Sequence, residues 1–212
     1  MFLPMVYNIQ IKGELKMKTL LLTGFEPFLS YPINPTEKIV KELDGVEIGD
    51  FYIKGLLLPV DYEQASQRIV AAIQETNPDA VLSLGLAAGR MSITPERIAI
   101  NCRDGEADNN GVALKDAPII EGGPDGYFSK LPIRDMVNAL KEEGYPAKIS
   151  DTAGTYLCNN IMYVILHEAN VPAGFVHIPA SHELVLHSKK EMPSWSDQDL
   201  LSAVKIMIKT LN

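Results

Sequence analysis

The chain is short of cysteine, of cationic charge and of long apolar runs, and each shortage closes off a class of function. Cys102 and Cys158 are its two cysteines among 212 residues. Two thiols so far apart make neither a disulfide framework nor a four-thiolate zinc site, and a reducing, cytoplasmic setting is expected. Lysine and arginine number 19 against 27 acidic residues, a formal net charge of −8. With no basic stripe inside that balance, nucleic-acid binding has no support. No apolar run approaches the roughly 20 residues of a spanning helix, so no membrane partner is expected. The opening "MFLPMVYNIQIKGELK" lacks a basic start and a small-residue cleavage site, which argues against a secretory signal. Residues 1–16 are expected to be an N-terminal extension, either an extra strand or an upstream start before "MKTLLLTGF". Residues 17–212 are expected to form a single α/β domain.

Several motifs are missing as well. "GLAAGR" (Gly85 to Arg90) follows a strand pattern but lacks the spacing and the lysine of a phosphate loop, and no GxGxxG occurs. "HELVLH" (His182 to His187) misses the HExxH spacing by one residue. On a helix the second imidazole lies roughly 140° from the first, at about 100° per residue, so the two do not converge on a metal. GxSxG is absent, which removes the usual nucleophile elbow of α/β-hydrolases. Neither a cofactor nor a metal is implied.

What is there is an alternation. "KTLLLTG", "FYIKGLLLPV", "DAVLSLG", "PAKISDT" and "AGFVHIP" read as strands. Helices are expected in "NPTEKIVKEL" with Pro35 in its first turn, in "DYEQASQRIVAAIQET" capped by Asp61, and in "IRDMVNALKEEG" closed by Gly144. Two more are expected in "YLCNNIMYVILHEA" and around "SWSDQDLLSAVKIMIKTL". Strands without polar alternation, separated by helices, predict a three-layer α/β/α fold around an open, twisted, mostly parallel sheet. Residues from about Met91 to Leu131 are rich in Gly, Pro, Asp and Asn and read as loops or short hairpins. Sites in such sheets form at the carboxyl ends of the strands, which directs attention to the residues just after "LLLTG", "LSLG", "KISDT" and "FVHIP".

One of those segments is "DTAGTYLCNN". With Thr155 as N-cap, Cys158 becomes the third helical residue, where unpaired N–H groups and the helix dipole favour a thiolate. The competing reading is a small buried hydrophobe. His177, at the end of "AGFVHIP", belongs to the next strand and is the imidazole best placed to meet it. His167 lies too far along the same helix, while His182 and His187 read as surface residues. A carboxylate should orient the imidazole, and Glu26, Glu96, Asp108 and Asp151 all remain candidates on the residues alone.

Four segments, "LLLTGFEPF", "GLAAGRMSITPERIAIN", "SDTAGTYLCNN" and "GFVHIP", together resemble the pyroglutamyl peptidase I family of cysteine peptidases, from about Met17 to the C-terminus. The resemblance implies an open α/β sheet and a triad of Glu96, Cys158 and His177. It also implies removal of an N-terminal 5-oxoprolyl residue from peptides through a thioester. Phe25, Phe28, Tyr156 and Leu157 match positions bordering the ring pocket. Apart from the resemblance, the expected oxyanion donors are the Cys158 backbone N–H and a donor from the "GLAAGR" loop, taken to be at Arg90. Pyroglutamylated peptides are the implied partners, and a homo-oligomer, dimer or tetramer, is the implied assembly. The chain departs from the family pattern at "LSY" after Phe28, at "GEADNN" (Gly105 to Asn110) and at "PASHEL" after His177. Two alternatives stand beside this reading: a thiol amidase for another small cyclic or N-blocked amide, and a catalytically silent binding protein of the same fold.

Overall fold

The computed structural model describes residues 17–28 and 31–211; the expectations for residues 1–16 and for Leu29 and Ser30 of the "LSY" loop lie outside them. In chain order the elements are β1 (Lys18–Phe25), α1 (Pro35–Leu43), β2 (Glu47–Ile48), β3 (Phe51–Leu58), α2 (Tyr62–Thr76), β4 (Ala80–Leu86), β5 (Thr94–Pro95) and β6 (Ile98–Ile100). They continue with β7 (Gly126–Phe128), α3 (Ile133–Glu142), α4 (Leu157–Glu168), β8 (Ala173–Ile178), β9 (Ala180–Ser181), α5 (His182–His187), β10 (Ser194–Trp195) and α6 (Asp197–Lys209). The main sheet runs β2-β3-β1-β4-β8-β5. Its four central strands are parallel, and the short edge strands β2 and β5 are antiparallel to their neighbours.

Side-chain alternation divides the core in two. Leu20, Leu22, Leu82, Leu84, Val176 and Ile178 point to one face and pack with α1, α3 and α6. Leu21, Phe25, Val81 and Phe175 point to the other and pack with α2 and α4. Strands buried on both faces need no polar alternation, which is why their sequences read as continuous apolar runs. The helices begin where the cap residues put them. The Asn34 side chain accepts from Thr36 N ahead of Pro35, and Asp61 accepts from Gln64 N at 2.7 Å.

Two expectations change. "PAKISDT" is not a strand: it runs alongside residues 93–97 through isolated bridges at Ile93–Ala147 and Glu96–Ser150. Ile93 N and O both bond this segment, and Ser150 N reaches Pro95 O. Proline carries no N–H to return a bond, so the ladder is interrupted at Pro95. Residue 156, not Thr155, caps α4. The Tyr156 carbonyl accepts from Asn160 N at 3.0 Å, while the Thr155 hydroxyl donates to the Asp104 carbonyl. Cys158 is therefore the second residue of the helix.

Candidate active site

Period-two alternation decides what meets at the carboxyl end of the sheet. His177 follows Phe175 by two residues and so faces α4, directly across the ladder from Gly85 of β4. Gly85 leaves room there: a Cβ built on it would lie 2.6 Å from the Phe175 ring and 3.0 Å from Cys158 Sγ. A glycine at this point lets the thiol and the aromatic ring approach the strand backbone.

Cys158 reaches this point because α4 is pinned at its start. Asn159, 1% exposed, mimics a peptide group against β6: it accepts from Ile100 N at 2.9 Å and donates to the carbonyls of Ile100 and Cys102 at 2.9 and 3.0 Å. Asn160 accepts from Arg103 Nε at 2.7 Å and donates to Ser66 Oγ at 2.8 Å. The two asparagines tie the thiol's helix to β6 and to α2. Neither role was legible beyond the bare "NN".

Glu96 follows β5 directly, and its backbone N–H bonds the Phe175 carbonyl at 2.9 Å. Its side chain is fully buried, with Oε1 2.7 Å from His177 Nδ1. A carboxylate there holds the proton on Nδ1 and turns Nε2 toward Cys158. Burial alone would pull the imidazole down. The Cys158 sulfur, by charge and hydrogen bond, and Glu96 together overcome it and raise His177 to about 9. Of the other carboxylates, Asp108 accepts from Asn110 N, Val112 N and Tyr62 N, Asp151 is exposed and pairs with Arg97, and Glu26 is half-buried in the loop after β1.

A cavity of about 210 Å³ opens beside Cys158 and His177. Phe25, Phe28, Tyr156 and Leu157 line it, as do Asn34, Val60, Leu86 and Ala153. All four expected pocket residues thus converge. Tyr156 is held by its hydroxyl on the Ala107 carbonyl at 3.1 Å and by an edge contact with Tyr62. Burial, with nearby anionic groups, pushes it up to about 12, so it stays protonated. Sequence reasoning missed Asn34, although an asparagine before a proline at a helix start was its visible signal.

Arg90 is turned elsewhere. Its Nη1 donates to Glu96 Oε1 at 2.7 Å and to the Thr94 hydroxyl, and it lines a separate surface cleft with Lys148 and Asp151. The guanidinium is bonded behind Glu96 and is not among the described residues lining the cavity beside the thiol, where an oxyanion donor was expected of it. His182 and His187 are exposed, and the His182 ring meets Ser194 Oγ at 2.9 Å. His167 sits near the end of α4 against the Tyr127 hydroxyl at 2.8 Å.

The family model described as pyroglutamyl peptidase matches residues 17–212. The chain belongs to the pyroglutamyl peptidase family. Among its relatives, the pyrrolidone-carboxylate peptidase of Oceanobacillus iheyensis is 51% identical over 201 residues, covering 92% of this chain and all of that protein. The pyrrolidone-carboxylate peptidase of Pyrococcus furiosus is 42% identical over 198 residues, covering 89% of this chain and 95% of that one. The solved pyrrolidone carboxyl peptidase of Thermococcus litoralis superposes with a TM-score of 0.88 at 37% identity, covering 92% of this chain and 93% of that one. Membership makes this an α/β fold of the cysteine-type hydrolases. "GEADNN" touches Tyr156 at Gly105 and through the Ala107 carbonyl, and "PASHEL" contains β9 and the start of α5.

Proposed function

We propose that the protein is a cysteine peptidase removing an N-terminal 5-oxoprolyl residue from peptides, with Cys158 as nucleophile, His177 as acid and base, and Glu96 as the residue that orients the imidazole. The observation that carries this reading is the juxtaposition itself. A thiol at a helix start, an imidazole held by a buried carboxylate and a small apolar cavity share one point.

Cys158 attacks the oxoprolyl carbonyl, and the imidazolium of His177 gives its proton to the departing amine. Water, deprotonated by His177, then cleaves the thioester and returns the thiol. The Cys158 backbone N–H, one of the first-turn donors of α4 for which the helix itself offers no acceptor, is the oxyanion donor in this scheme.

The cavity suits the substrate. At about 210 Å³ it is smaller than the roughly 300–1,000 Å³ of drug-sized sites. Phe25, Phe28, Tyr156 and Leu157 would sandwich a five-membered ring. No carboxylate is among the described lining residues, so nothing there would hold the α-ammonium of an ordinary N-terminus, whereas an uncharged lactam needs none. Asn34 spends one amide hydrogen on the Glu26 carbonyl at 3.1 Å, leaving the other for the lactam carbonyl.

The test is turnover of pyroglutamyl-, prolyl- and alanyl-anilides by the wild type and by Cys158→Ser. Turnover of the pyroglutamyl compound alone, lost in the variant, is expected. Turnover of a different blocked amide would favour the thiol-amidase alternative, and ring binding without turnover would favour a silent binder. The family likeness also supports treating residues 17–212 as one peptidase domain acting in the cytoplasm as a dimer or tetramer. Light scattering on the purified chain measures the assembly.

A further inference from the structure

We infer that Arg90 is a positioning residue for this reaction, supplying the countercharge that holds the Glu96 carboxylate against His177 while the thiol and imidazole carry their own charges. The inference rests on Cys158, His177 and Glu96 acting as proposed.

Glu96 is fully buried, yet its partners are unevenly divided. Oε1 lies 2.7 Å from both His177 Nδ1 and Arg90 Nη1, and Oε2 has no partner among the described residues. A buried carboxylate so sparsely bonded is costly unless a cation compensates it. The charge balance points the same way. Once the thiol has passed its proton to His177, thiolate, imidazolium and carboxylate leave one net negative charge in the site. Arg90 brings the four groups to neutrality.

The guanidinium is placed to do this. Arg90 N closes a turn on the Ala87 carbonyl at 2.9 Å directly after β4. The same Nη1 that bonds Glu96 also bonds Thr94 Oγ1, and that hydroxyl lies 3.4 Å from the His177 carbonyl. One nitrogen therefore touches both residues that flank His177 on its β5 side. The charged groups around the cluster are few. Cys158 faces His177 from α4, and Arg90 faces Glu96 from the loop after β4. Lys148 and Asp151 face Arg90 across the surface cleft, and Asp151 is already bonded to Arg97 at 2.6 Å. Lys148 is the remaining cation on that side, and it has no hydrogen bond to Glu96.

The test is the pH profile of kcat/KM on a pyroglutamyl anilide for the wild type, Arg90→Gln and Arg90→Lys. Removing a cation this close makes every protonation of the coupled cluster easier. Both limbs of the Arg90→Gln profile should therefore move to higher pH, by about one unit or more. Arg90→Lys, which keeps the charge, should return the limbs toward the wild-type position. A uniform loss of rate with unmoved limbs would overturn the inference, because a merely structural contact has no reason to shift a titration.

A second readout does not depend on turnover. The rate of iodoacetamide alkylation at Cys158, followed by peptide mass spectrometry across pH, should move upward in Arg90→Gln in the same way. If the wild type turns over no pyroglutamyl compound, the peptidase reading fails while this profile still decides the role of Arg90. Should Arg90→Gln not fold, the double variant Arg90→Gln/Glu96→Gln should recover folding, since it removes the uncompensated carboxylate. A double variant that stays unfolded would contradict the charge argument.

Discussion

The two faces of the sheet are built from the same strands, often from adjacent residues, and they serve different ends. On the side of α1, α3 and α6 the large side chains that β1, β4 and β8 turn inward are aliphatic, Leu20, Leu22, Leu82, Leu84, Val176 and Ile178, and the glycines Gly24 and Gly174 let Thr36 and Leu131 pack close. On the side of α2 and α4 the pattern breaks toward the carboxyl ends, where Thr23, Ser83, Gly85 and His177 replace aliphatic side chains. The breaks are not random. The hydroxyls of Thr23 and Ser83 bond one another at 2.7 Å, Gly85 clears space for the thiol, and His177 has Glu96. A closed apolar face fixes the strands, and the opposite face can then hold polar groups because each has a partner.

The sharpest way to break that contrast is at Glu96. Glu96→Gln keeps the volume but takes the charge from His177 and leaves Arg90 without its anion. A fall in kcat on the order of 10³-fold or more is expected, with KM changed far less. Steady-state kinetics on a pyroglutamyl anilide reads it. On the other face the effect should invert. Leu84→Ala opens a void at a fully buried position and should cost about 2–5 kcal/mol in urea unfolding while leaving KM near the wild-type value. Gly85→Ala sits between the two, since its Cβ would press on both Phe175 and Cys158 Sγ. It should cost about 1–3 kcal/mol and lower kcat/KM roughly tenfold or more, because small displacements of a nucleophile are expensive.

The gentlest probe is pH. His177 is raised to about 9 in the folded chain, from an ordinary value of 6.5. The amine-leaving step needs its proton, so kcat should fall as pH rises through about 9. Stability follows the same sign. The contribution of the imidazolium is fully present below the ordinary value and is lost as pH rises through the folded one. Thermal melts across that window should show a decline that is absent in His177→Gln.

How far the sequence carried these conclusions differs by region. The central strands and the helices around them were legible because burial on both faces leaves continuous apolar runs, and because Asp61, Pro35 and Gly144 punctuate the helices. The hairpin character of residues 91–131 was legible too, as β6 pairs with β7. "PAKISDT" reads as a strand because its pattern is that of one, while the missing N–H of its neighbour Pro95 acts across chain segments. At the site, Cys158 and His177 could be reached from helix-start and strand-end chemistry. Glu96 could not be separated from Glu26, Asp108 or Asp151 on spacing, and only the family resemblance singled it out. The bond from Arg90 to Glu96 was not legible, because which way a long side chain turns depends on a buried carboxylate six residues on.

Everything proposed for the reaction depends on Cys158 becoming acylated by the oxoprolyl group. Acid-quenched mass spectrometry can catch that species after the enzyme is mixed with an activated pyroglutamyl ester, whose fast acylation lets the thioester accumulate. One oxoprolyl adduct is expected, located on the peptide containing Cys158 and absent in Cys158→Ser. An adduct on another residue, or undiminished turnover by Cys158→Ser, would contradict the proposed mechanism.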